Sequence, residues 1–106
     1  VKLFRIEDFV GGWFIGDFEP SLLKTKDFEV GYKYHKKGEH WPDHYHKIGT
    51  EYNCIVKGHM ILNEVELKDG DVFVIEPGQP SKSTFLDDCH IIVVKTPSVP
   101  GDKYEI

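Results

Sequence analysis

Helical periodicity is absent from this chain, and short runs rich in Val, Ile, Phe and Tyr recur with turn signals between them. That is the pattern of an all-β sandwich or barrel. From Asp27 to His35, Phe28, Val30, Tyr32 and Tyr34 alternate with Glu29, Gly31, Lys33 and His35, predicting a strand with one apolar face. Lys36 to Pro42 holds Gly38 and Pro42 and reads as a loop. His44 to His46 and Glu51 to Lys57 then read as strands separated by Gly49. After the Gly58 turn, strands are predicted over His59 to Leu62, Val65 to Leu67 and Val72 to Ile75, divided by Asn63-Glu64 and Asp69-Gly70. Pro77, Gly78 and Pro80 end the last of these. A final apolar run, Cys89 to Val94, follows the turn at Asp87 and Asp88, and Pro97, Pro100 and Gly101 make an irregular tail.

At 106 residues, with 40% hydrophobic and 13% aromatic residues, the chain fits one domain with its own core. Residues 28–96 are expected to form the barrel and 97–106 a tail. Residues 1–26 carry Phe4, Ile6, Phe9, Trp13, Phe14, Ile15 and Phe18, too much apolar surface to leave in water. They are expected to pack along the barrel or across a homodimer interface, which exposed sheet faces and edges also favour. No apolar run approaches the roughly 20 residues of a membrane span and no signal-peptide core is visible, so a cytoplasmic protein is expected. Cys54 and Cys89 are too few and too far apart for a disulfide framework and read as reduced, packed thiols. A formal charge of −5 argues against a nucleic-acid partner and leaves a small molecule or another protein.

The candidate chemistry lies between Gly38 and Gly58. On a strand, residues two apart share a face about 6.6 Å apart, so His44 and His46 can converge while Tyr45 faces away. Glu51, arriving from the next strand, completes a two-His-one-carboxylate set for a divalent ion, with positions open for water, oxygen or substrate. An isolated pair of alternating histidines is more often plain surface; the spacing around this pair is what distinguishes it.

Gly38, His44, His46, Glu51 and Gly58, with five, one, four and six residues between successive members, reproduce the first motif of the cupin superfamily. Gly70-Asp71, the apolar Val72 to Ile75 and Pro77-Gly78-Gln79-Pro80 resemble the second. The resemblance covers roughly residues 28–96 and implies a double-stranded β-helix, a small jelly-roll barrel holding its ligand inside. It also implies a divalent metal, iron, manganese, zinc or nickel, on His44, His46 and Glu51. One departure stands out: cupins with the full site carry a histidine just after the second motif's turn, and this chain has Ser81, a poor ligand for such ions.

His90 is the leading substitute, since alternation places it with Ile92 and Val94 on an inward face, opposite a solvent-facing Lys95. His90, Tyr32 and Tyr34 are the proton-transfer candidates. Asn53 shares the face of Glu51 and is a candidate substrate-binding group, as are Ser81 and the loop residue His40. Three functions remain open. The first is a metal-dependent enzyme of the isomerase, epimerase, lyase or dioxygenase type, acting on a small polar, sugar-derived or carboxylated molecule. The second is a non-catalytic ligand-binding barrel with a degenerate site, and the third a metal-free sugar-nucleotide isomerase.

Overall fold

A computed structural model describes residues 1–106 as one all-β unit. The strands are β1 (Trp13–Ile15), β2 (Glu29–His35), β3 (His44–Tyr45), β4 (Thr50–Lys57), β5 (His59–Leu62), β6 (Val65–Lys68), β7 (Val72–Ile75), β8 (Ser83–Phe85), β9 (Cys89–Thr96) and β10 (Tyr104–Glu105). Strands β5 and β7 coincide with their predicted bounds, and β2, β3, β4, β6 and β9 differ by one or two residues at an end. Strands β1, β8 and β10 are additional; each is too short to show an alternation. No helix is long and apolar enough to cross a membrane.

All pairings are antiparallel. One sheet has the order β1-β2-β9-β4-β7, a second β6-β5-β8, and β10 pairs with β3. The core between the two larger sheets is built from Ile55, Met60, Leu62, Leu67, Ile75, Phe85, Cys89, Ile91 and Val93. Ile55 and Cys89 are fully buried, and both cysteines are free thiols. Burial pushes the Cys89 thiol's pKa up. Gly58 adopts φ +138°, and a Cβ there would lie 2.7 Å from the Asp88 carbonyl oxygen, so the motif-closing glycine answers a steric requirement.

The expected facing of two strands is corrected. On β2 it is Glu29, Gly31 and His35 that are buried, whereas Tyr34 is exposed. On β9, Cys89, Ile91, Val93 and Lys95 are buried, and His90, Ile92 and Val94 lie on the opposite face. The register explains the inversion. Glu29 pairs with Lys95, Gly31 with Val93 and His35 with Cys89, so the polar-looking face of β2 and the face of β9 that carries Lys95 share one side of the sheet. Lys95 Nζ lies 2.8 Å from Glu29 Oε1, and Ser98 Oγ donates to Glu29 Oε2 at 3.0 Å. Mutual pairing makes the buried charges tolerable.

The vacant side chain at Gly31 is equally informative. A Cβ there would lie 2.8 Å from the Trp13 ring, so the indole occupies the space beside the strand and roofs it. Strand β1 pairs with β2 around this contact, and Lys33 Nζ donates to the Gly11 carbonyl at 2.6 Å. Phe4, Phe9 and Phe14 form a chain of ring contacts at 6.2 and 6.4 Å.

Candidate metal centre

Three side chains carried by two consecutive strands and the bend between them converge in the barrel interior. His44 and His46 come from β3 and the residue just after it, and Glu51 from the second position of β4. One potential ligand atom from each lies within 4.8 Å of the others. The His44 and His46 rings sit 5.4 Å apart at 61°, and His46 Nδ1 lies 3.1 Å from Glu51 Oε2. His46 is buried; His44 and Glu51 are partly exposed to the interior space.

Local backbone chemistry holds the group in place. His44 Nδ1 lies 3.1 Å from the Pro42 carbonyl; donating there, it leaves Nε2 as the lone-pair nitrogen. The bend between His46 and Glu51 is fastened by Asp102, whose carboxylate accepts from the backbone N–H groups of Lys47, Ile48 and Gly49 at 2.9, 3.0 and 2.8 Å. Burial alone would raise the Asp102 pKa, but these three bonds outweigh it and hold the carboxyl below its usual range. For His44 and His46 burial dominates and lowers the pKa, so both rings stay neutral at lower pH than a free imidazole. Neutral imidazoles and a carboxylate are the donor set that divalent ions of the iron, manganese, nickel or zinc type accept, and these residues fit such an ion.

The triad opens into a cavity of about 520 Å³, within the range of small-molecule sites. Its apolar wall includes Met60, Leu62, Phe73, Ile75, Phe85, Ile91 and Val93; Trp13 and Trp41 also line it. Asn53 reaches it from β4 with its amide Nδ2 buried and without a partner, and Ser81 lines it too. Ser81 sits opposite His44 in an isolated antiparallel bridge, so the residue standing where the resemblance calls for a histidine does adjoin the triad.

Other expected site residues are elsewhere. The His90 ring lies against Tyr34, tilted at 39° with centroids 4.8 Å apart, and His90 hydrogen-bonds the Tyr32 hydroxyl through Nδ1, on the face of the five-stranded sheet away from the cavity. None of the three lines the cavity, so they do not complete the site. His40, in the loop before β3, does not line it either. In their place the interior presents His35, Lys33 and Lys95, all on faces read as outward. His35 is buried, its Nδ1 is hydrogen-bonded to Glu39 Oε2, and its ring stacks on Phe85 at 4.4 Å and 15°. Burial, followed by the nearby Lys103 charge, lowers the Lys33 pKa. One signal for this inward set was available in the sequence: a glutamate on β2 and a lysine on β9, each breaking an apolar strand, are complementary.

No protein-family model matches this chain, and no curated protein does. Solved structures do. An uncharacterized conserved protein with a double-stranded β-helix domain from Klebsiella pneumoniae subsp. pneumoniae MGH 78578 superposes with a TM-score of 0.70 at 20% identity, over 98% of this chain and 90% of that one. The DMSP lyase DddQ from Ruegeria pomeroyi DSS-3 gives 0.69 at 16% identity over 83% of this chain, which spans 47% of the lyase's length. A cupin protein from Bacteroides fragilis gives 0.55 at 22%, over 74% and 72% of the two chains. At these identities the likeness establishes the fold: an all-β, cupin-type jelly roll, here with a His-His-Glu cluster that could hold a metal ion.

Proposed function

We propose that this protein is a metal-dependent enzyme acting on a small molecule inside the barrel, through lyase or isomerase chemistry that begins with proton abstraction. The observation that carries this reading is the convergence of His44, His46 and Glu51 on the wall of an open-mouthed, largely apolar cavity. When bound, a divalent ion supplies Lewis-acid chemistry, stabilising negative charge that develops on a substrate oxygen. The protein's own groups do the rest. Asn53 donates its free amide hydrogen to the substrate and orients it. His35, its Nδ1 held by Glu39, takes a proton at Nε2. Trp41 and Phe85 flank that imidazole and keep water from it. The DMSP lyase among the similar structures is in keeping with this chemistry on the same fold.

The test is direct. The protein is purified without added metal and its bound ions are quantified before and after loading with iron, manganese, nickel and zinc. The wild type should hold about one ion per chain, and a variant with both H44A and H46A none. A wild-type protein that holds no ion under any loading condition excludes the metal-enzyme reading in favour of a plain ligand-binding barrel.

A further inference from the structure

We propose that the ligand of this cavity is a small organic carboxylate, its anionic group taken up by Lys33 and the Asn53 amide, which line the same cavity as His44, His46 and Glu51. This names the substrate class for the enzyme reading above and rests on it.

Every carboxylate that lines the cavity is already engaged. Glu29 accepts from Lys95 and Ser98, Asp102 from three backbone N–H groups, and Glu51 adjoins His46. At the rim, Glu19 pairs with Lys24. Away from the histidines, three donors stand out as uncommitted or only partly used. Lys33 has no carboxylate within ion-pair distance and uses one of its three ammonium hydrogens on the Gly11 carbonyl. Lys103, at the mouth, has no carboxylate partner and lies 4.4 Å from the Trp41 ring centroid. The Asn53 Nδ2 amide, on a residue only 8% exposed, has no partner at all. A buried donor without an acceptor is costly, and the residue that carries this one lines a cavity large enough for a ligand.

A ligand that satisfies such a lining must bring acceptors and negative charge. A carboxylate is acceptor-only and anionic. The apolar character of the remaining wall, from Met60 and Leu62 to Phe73 and Val93, selects an anion with a hydrocarbon body over a bare inorganic one.

Trp13 and Trp41 are the chain's two tryptophans and both line the cavity, so intrinsic fluorescence reports its occupancy. The purified protein is titrated with propionate, with propionamide as the neutral isostere, and with inorganic phosphate; K33M and N53D are titrated alongside, with metal content measured on every sample. Propionate should bind, with propionamide at least about tenfold weaker. Each variant should lose about tenfold or more of the propionate affinity, as for a charge-assisted hydrogen bond, while keeping its metal. Circular dichroism checks folding, and if N53D does not fold, K33M decides. The proposal is overturned if propionamide binds as well as propionate, if phosphate binds in preference, if K33M binds like wild type, or if no probe binds. A protein that takes up no ion but binds propionate through Lys33 loses the metal reading and keeps the carboxylate site. One that holds its ion and ignores propionate does the reverse.

Discussion

His44 and Ser81 face each other across a single antiparallel bridge, with Ser81 N–H donating to the His44 carbonyl at 2.7 Å and His44 N–H returning the bond at 3.3 Å. Directly opposed residues in such a bridge have neighbouring side chains. A histidine at position 81 therefore stands within reach of the ion that His44 holds. S81H is expected to tighten metal binding on the order of tenfold or more, since even outer-shell partners of a metal site change affinity by that factor. S81A should leave affinity unchanged. Competition with a chromogenic chelator measures both; equal affinity for S81H and wild type would show that position 81 does not reach the ion.

Asp102 ties the end of the chain to the bend carrying the triad, and its removal strands three backbone donors. D102A is expected to cost about 3 kcal/mol or more in urea denaturation at neutral pH, and to weaken metal binding by loosening the bend. The pH dependence has a definite sign. The folded carboxyl titrates below the unfolded value of 3.8, so its contribution is fully present above that pH and is lost as pH falls through the folded pKa. D102N should flatten this part of the acid limb; an unaltered limb would assign acid sensitivity to other carboxylates.

Lys95 and Glu29 form an ion pair whose side chains are 9% and 6% exposed. Removing one partner leaves a buried charge unmatched, at a cost of about 3–5 kcal/mol. K95M is expected to destabilise by that amount, and the double variant K95M/E29M by clearly less. If both variants lose the same stability, the charge pairing is not what supports the interior.

The His35–Glu39 contact defines a tautomer, with Nδ1 protonated and Nε2 free. Nitrogen-15 NMR of the imidazole should show that state in wild type and a mixture in E39Q. Once a substrate is in hand, H35Q should slow turnover about a hundredfold or more without loss of metal. Unchanged turnover would remove His35 from the proton transfer.

Apolar residues also lie on the outside of the barrel. Tyr34, Tyr52, Val56, Val72 and Val74 are all exposed on the outer face of the five-stranded sheet. A second copy packed on this face is expected, and V74K should disrupt it. Sedimentation equilibrium giving a monomer at tens of micromolar would count against the dimer.

The triad was legible because His44, His46 and Glu51 lie close in sequence at spacings that resemble the first cupin motif; the period of a strand by itself says only that His44 and His46 share a face. Strands β5 and β7 were legible because turn residues bracket them on both sides. What alternation cannot say is which of two faces points inward, and β2 and β9 show why. The usual rule assigns the apolar face to the core, but this interior encloses polar groups that neutralise one another. Each strand therefore presents Glu29 and Lys33, or Lys95, to the inside, and sends Tyr32, Tyr34 and His90 outward. His35 and Lys33 were hidden by that inversion. Asp102 was hidden for another reason: its partners are backbone groups more than 50 residues away, which no local pattern encodes.

The Trp13–Gly31 contact makes the size of the binding space a matter of one codon. Any side chain at position 31 evicts the indole, and β1 moves with it, so the pocket's dimensions and the seating of the first fifteen residues vary together. A descendant of this protein could change the bulk of molecule it admits by altering a residue that touches neither metal nor ligand.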